Sequence, residues 1–199
     1  MNADARLDVE DLARAHCYAI VGRLMYGAPD VAFASYIVQQ PSNDDAVRLA
    51  LAWKALQAAC RDADREQVRL EYDDLFVSVG KAPVTLYTSG YVSPQAPDRH
   101  LLALRNALDA LGLARRTEAG ETEDHISALC DTMRWLIESG QSLAAQRRFF
   151  FDFVAPAIEP LCAAIAGNPQ AAFYRTVAAY LLAFYEVERT GFELDGTAG

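Results

Sequence analysis

The sequence predicts an all-α protein, a single globular bundle of about eight to ten helices with one long loop containing proline and glycine. Apolar residues recur at three- and four-residue spacing along nearly the whole chain, and no run alternates as a half-buried strand would. The 199 residues are 52% apolar and 10% aromatic, enough to bury a core without disulfide or metal staples. No repeat of fixed period is present, which argues against a solenoid. The whole of 1–199 is therefore expected to be one helical domain, with a frayed tail at about 195–199.

In the first helix Leu12, Ala13, His16, Cys17, Ile20, Val21 and Leu24 form one stripe, and Gly27-Ala28-Pro29 stops it. A short apolar segment follows from Val31 to Val38. Pro41-Ser42-Asn43-Asp44 reads as a turn ending in a helix cap. The next helix is expected over roughly Asp45 to Ala59 and carries Trp53. Another begins near Asp64, with Val68, Tyr72, Leu75, Phe76 and Val79 at helical spacing.

From Ser78 to Pro97 three prolines and two glycines forbid a long helix, and no neighbouring pattern supports a sheet. Loops this long inside a compact domain are often binding segments. After Pro97 comes the stripe Leu101, Leu104, Leu108 and Leu111, ended by Gly112. Ile126, Leu129, Cys130, Met133, Leu136 and Ile137 make the cleanest stripe, ended by Gly140. Phe149, Phe150, Phe151 and Phe153 follow, and Pro156 and Pro160 are expected to break that helix from a short one ending at Gly167. The last helix runs from about Gln170 to Arg189.

The net charge is −9, from 27 acidic and 18 basic residues. That balance opposes the phosphate attraction used by nucleic-acid binders and favours a cationic partner. Cys17, Cys60, Cys130 and Cys162 lie far apart with no C-x-x-C pair, which suits buried thiols in a reducing compartment. The first residues lack the basic and apolar regions of a secretory signal. No apolar run in the sequence approaches the ~20 residues of a membrane helix, Val177 to Tyr185 being the longest candidate. A cytoplasmic protein without membrane insertion is the expectation.

Nucleotide-binding, metalloprotease, esterase and calcium-loop signatures are missing. Of the three histidines, His16 sits on an apolar stripe and His100 reads as ordinary surface. His125 follows Glu121-Thr122-Glu123-Asp124 and opens the strongest stripe. Thr122 capping that helix, with carboxylates in its first turn, explains the pattern structurally. An acid–base or metal role for Asp124 and His125 is the sharper reading, but adjacent helical residues point about 100° apart and converge poorly on one ion. A peptide contact needs less convergence. The second cluster is Glu71-Tyr72-Asp73-Asp74-Leu75-Phe76 with the loop carrying Pro83, Tyr87, Ser89 and Tyr91. Tyrosines there can bury their rings and keep hydroxyls for hydrogen bonds.

On these residues the sequence resembles the TorD/DmsD family of redox-enzyme maturation chaperones. The shared elements are Glu71-Tyr72-Asp73-Asp74-Leu75-Phe76, then Leu86-Tyr87-Thr88-Ser89-Gly90-Tyr91, then Asp124-His125. Gln146 to Val154 and Phe173-Tyr174 also fit the family's C-terminal half. Ser78-Val79 replaces a common Gly-Pro, and Leu86 stands where a proline commonly precedes the aromatic. The resemblance implies a non-enzymatic chaperone. Its partner would be the precursor of a molybdenum-containing oxidoreductase, held by its twin-arginine signal peptide or as apoenzyme, until cofactor is inserted before export. It implies peptide contacts from Glu71, Tyr72, Leu75, Phe76, Pro83, Tyr87, Ser89, Tyr91, Glu123, Asp124 and His125. Asp124 and Glu123 would face guanidinium groups. No cofactor or metal is implied, while guanine-nucleotide binding, homodimerisation and the identity of the client stay open. The competing readings are a helical adaptor using Phe149 to Phe153 and a small metal or acid–base protein using Glu121, Asp124 and His125.

Overall fold

The computed structural model describes residues 7–41, 46–77, 82–114 and 120–195. The turn expected at Ser42-Asn43-Asp44, the start of the long loop at 78–81 and the expected tail after Asp195 lie outside the described residues. Among the described residues the chain is helical, and an isolated antiparallel bridge between Tyr87 and His125 is the one extended pairing. The elements are α1 (Val9–Tyr26), α2 (Val31–Gln39), α3 (Val47–Asp62), α4 (Arg65–Tyr72), α5 (Ser89–Val92), α6 (Pro97–Ala110), α7 (Ile126–Glu138), α8 (Leu143–Phe149), α9 (Ala155–Gly167) and α10 (Phe173–Asp195). Wide π turns extend α4 over Asp73–Val77 and join α8 to α9 over Phe150–Val154.

Several ends follow local chemistry. Asp30 and Asp64 cap α2 and α4 with side-chain oxygens that accept backbone N–H groups. Gly112 and Gly140 take φ of 73° and 67° after α6 and α7, a conformation that side-chain-bearing residues rarely adopt. There the N–H of Leu113 reaches Leu108 O and that of Gln141 reaches Leu136 O, closing both helices. The helix expected from Asp45 instead starts at Val47, with Ala46 at its N-cap and no side-chain cap bond.

The expectation that Pro156 and Pro160 break the chain into two helices is corrected. Leu143 to Gly167 is one continuous helix. Pro156 is the second residue of α9, just after the π turn in which the Ala155 N–H reaches Phe150 O. Asp152 and Pro156, the residues whose carbonyls the two prolines would face in a regular α-helix, are both exposed. This helix also corrects the reading that no apolar stretch approaches a membrane span. At 25 residues it is long and apolar enough to cross a membrane, and half of its most apolar window is buried within the protein.

Contacts divide the chain into two compact units, Met1–Arg23 with Tyr87–Ala157, and Leu24–Leu86 with Ile158–Gly199. In the first, α7 packs on α8 and its π turn, and α5 packs on α6. Leu129, Met133 and Leu136 of α7 are buried, as are Phe149, Phe150 and Phe153. In the second, α3 packs on α10 and on α2. Trp53 packs against Tyr180 with ring centroids 5.3 Å apart and planes tilted by 47°, and Gln57 ties α3 to the end of α2 by donating to Ile37 O, Val38 O and Gln40 O. Each fully buried large side chain contributes roughly 1.5–3 kcal/mol.

Candidate functional site

In the first unit the loop residues and the Asp124-His125 pair are brought together. The Tyr87–His125 bridge lays the loop along the residues that precede α7. Thr88 fastens it, its N–H donating to Asp124 O at 2.9 Å and its hydroxyl to the same oxygen at 3.2 Å. His100 Nε2 lies 3.2 Å from that hydroxyl, which therefore accepts from the ring N–H. His100 is buried and its ring packs at 5.8 Å on Phe153, so the expectation of an ordinary surface histidine is corrected. Its position in the chain, beside exposed Arg99 at a helix start, concealed this.

Asp124 is 2% exposed. Its Oδ1 accepts the Thr122 hydroxyl at 2.6 Å and its Oδ2 the Ser89 N–H at 3.4 Å. The cap of α7 is His125, whose Nδ1 accepts the Ser127 N–H at 3.3 Å, and not Thr122 as the sequence suggested. A bonded Nδ1 lone pair leaves the ring proton on Nε2. Burial holds the His125 pKa below the usual 6.5, against the opposing pull of Glu121 and Asp124. His100 is lowered in the same way, with Asp124 opposing.

Tyr87 is 36% exposed, and its ring meets His125 edge-on at 5.3 Å. Its hydroxyl donates to Glu121. Burial first, then the Glu121 hydrogen bond and the charges of Glu121 and Asp124, push its pKa up to about 12. Glu123 receives a two-pronged contact from Arg105 at 3.2 and 3.1 Å. Ser89 is buried, and Tyr91 is half-buried in α5 with its N–H donating to Thr88 O. The sequence reading omitted Thr88, Arg105 and Glu121 from the peptide-binding set. Thr88 and Glu121 were legible inside their motifs, whereas Arg105 gave no local signal.

In the second unit Glu71 acts as a remote cap. Its carboxylate accepts the N–H groups of Ala172, Phe173 and Tyr174 at 2.9, 3.0 and 2.8 Å, at the start of α10. Tyr72 donates to Met25 O at 3.2 Å and Tyr26 O at 2.9 Å, and Tyr174 to Leu24 O at 3.2 Å, serving the last carbonyls of α1. Tyr72, Phe76 and Tyr174 form an aromatic triad with centroids 5.0–5.6 Å apart. Leu75 has no exposed surface, Phe76 is half-buried and Pro83 is exposed.

Among the described residues, no three His, Cys, Asp or Glu side chains are placed to share a metal ion. Phe149, Phe150 and Phe153, on which the adaptor reading depends, are core residues.

The family model for the nitrate reductase delta subunit matches residues 42–163, more than half of the chain. A candidate redox enzyme maturation protein from Archaeoglobus fulgidus has a similar solved structure, with a TM-score of 0.55 and 18% identity over 92% of this chain and 98% of that one. Among curated proteins no match is found.

Proposed function

The chain belongs to the nitrate reductase delta subunit family, and from that premise we propose that it is a cytoplasmic maturation chaperone for a molybdenum-containing oxidoreductase. It holds the twin-arginine signal peptide or the apoenzyme of its client until the cofactor is in place, and it catalyses no reaction of its own. The observation that carries this reading is the junction of the Tyr87–Tyr91 loop with the start of α7. There a part-exposed tyrosine ring, the Glu121 carboxylate and the Glu123–Arg105 pair surround a buried Asp124.

Such a junction suits an arginine-bearing segment. A guanidinium donates in a planar fork that matches carboxylates and also stacks on aromatic rings. Glu121 offers a carboxylate beside the Tyr87 ring. Glu123 already accepts a fork from Arg105, so an incoming arginine can exchange with Arg105 without stranding a charge. Asp124 positions the loop and adds negative potential, and His125 contributes its Nε2–H. Glu71, Tyr72 and Phe76 form a separate cluster whose part in client binding is tested by its own substitutions.

The test is calorimetric titration of the protein with a twin-arginine signal peptide from a genomically neighbouring molybdoenzyme. Micromolar binding is expected, about −8 kcal/mol. It weakens when both peptide arginines become lysine, and in Glu121→Gln/Glu123→Gln and Tyr87→Ala variants. If the folded protein binds no candidate signal peptide, the proposal fails. Binding untouched by those variants removes the loop junction as its site.

A further inference from the structure

In the second unit, beside α2 and the end of α3, lies a cleft of about 340 Å³, within the range of small-ligand sites. Val31, Ala34 and Val38 of α2 give it apolar walls, together with Cys60, and Arg61 and Arg65 are its charged lining groups. Among the described residues no carboxylate lines it, although the chain carries a net charge of −9. Of the acids next to the lining residues in sequence, Asp62 and Asp64 line a different cleft, Asp30 caps α2 through the Phe33 N–H, and Glu66 pairs with Arg69. Asp64 is also committed to the Glu66 and Gln67 N–H groups.

Two features make this a built site. Gln57 fixes the end of α2 to α3 through three carbonyls, so the apolar wall is held in place. Arg65 is held too, because its Nη2 donates to the Cys60 carbonyl. Its Nη1 is buried with no hydrogen-bond partner. The acceptor that a guanidinium matches best is a carboxylate. The thiol of Cys60 does not compete for that role: burial pushes its pKa up to about 11, against the opposing charge of Arg65.

We propose that this cleft binds a short aliphatic carboxylate, its charge on Arg65 and Arg61 and its hydrocarbon along Val31, Ala34 and Val38. A free acid and the C-terminal residue of a peptide share this chemistry. The site is anion-selective and apolar, whereas the signal-peptide site answers to cations, so either proposal can fail alone.

The experiment titrates the isotope-labelled full chain by NMR with octanoate, and with acetyl-Ala-Leu bearing a free C-terminus. Octanamide and acetyl-Ala-Leu-amide are the neutral controls. Saturable shifts at the amides of Ala34, Val38 and Cys60 are expected from at least one carboxylate, with the matching amide binding about tenfold or more weakly. Octanoate alone would identify a free acid, the peptide alone a C-terminus, and both the shared chemistry. Arg65→Gln should weaken binding by a similar factor. Ser35→Trp at an exposed lining position blocks the cleft without touching either arginine, and should abolish binding in a chain of unchanged helicity. Absence of binding by both carboxylates, equal binding of the amides, or binding that survives Ser35→Trp would overturn the proposal.

Discussion

Replacing Glu71 separates its structural role from client contact. Its two oxygens accept three N–H groups at the start of α10, from a helix distant in sequence. Losing one N-cap acceptor costs about 1 kcal/mol, and a carboxylate at a partly buried helix N-terminus is worth up to about 2 kcal/mol. Glu71→Ala removes both oxygens and the charge, so a loss of about 3 kcal/mol is expected. Glu71→Gln keeps one acceptor oxygen and should cost about 1–2 kcal/mol. For a chain of this size, 3 kcal/mol corresponds to a fall in Tm of roughly 6–12 °C. Thermal and urea unfolding followed by far-UV circular dichroism measures it, with signal-peptide titration below the transition as the companion assay. If Glu71→Ala leaves the unfolding midpoint unchanged while client binding is lost, the cap argument is refuted and Glu71 is a contact residue.

Asp124→Ala should cost about 2 kcal/mol, because the Thr122 hydroxyl and the buried Ser89 N–H lose their acceptor, while the bonds from Thr88 to the Asp124 backbone oxygen remain. Amide exchange at Ser89 should then quicken roughly tenfold or more, and unchanged exchange there would remove the Asp124 carboxylate as an anchor of the loop. His125 and His100 both have folded-state pKa values below 6.5, so their neutral forms favour the fold. Their contribution is fully present above pH 6.5 and is lost as pH falls through the lowered values. His125→Asn keeps a capping side chain and should flatten the acid limb of urea midpoint against pH; an unaltered limb would contradict this. Burial pushes Cys60 and Cys162 to about 11 and 12 and raises Cys130 further, while Cys17 is only half-buried. A thiol reagent at neutral pH should therefore modify Cys17 first, and the other three only after denaturation. Peptide mapping reads the order.

The sequence by itself determined the helices and much of the core, because helical periodicity is a local property. Ile126 to Ile137 was legible residue by residue, as were the stops at Gly112 and Gly140, where a positive φ favours glycine. The motif residues of the loop and of Asp124-His125 were also marked in advance, and the fold unites Tyr87, Ser89, Asp124 and His125 in one junction. Where local rules compete, a local reading fails: two prolines signal a break, but the π turn ahead of Pro156 lets one helix run on.

Only the tertiary structure decided what each polar group does. Glu71 meets α10 across about a hundred residues, Arg105 of α6 meets Glu123 in the turn ahead of α7, and His100 turns inward to Thr88. A carboxylate that caps a distant helix and one that awaits a ligand look alike in a sequence. They differ in which orphan N–H groups the fold brings within about 3 Å, and that is set by packing between segments far apart in the chain.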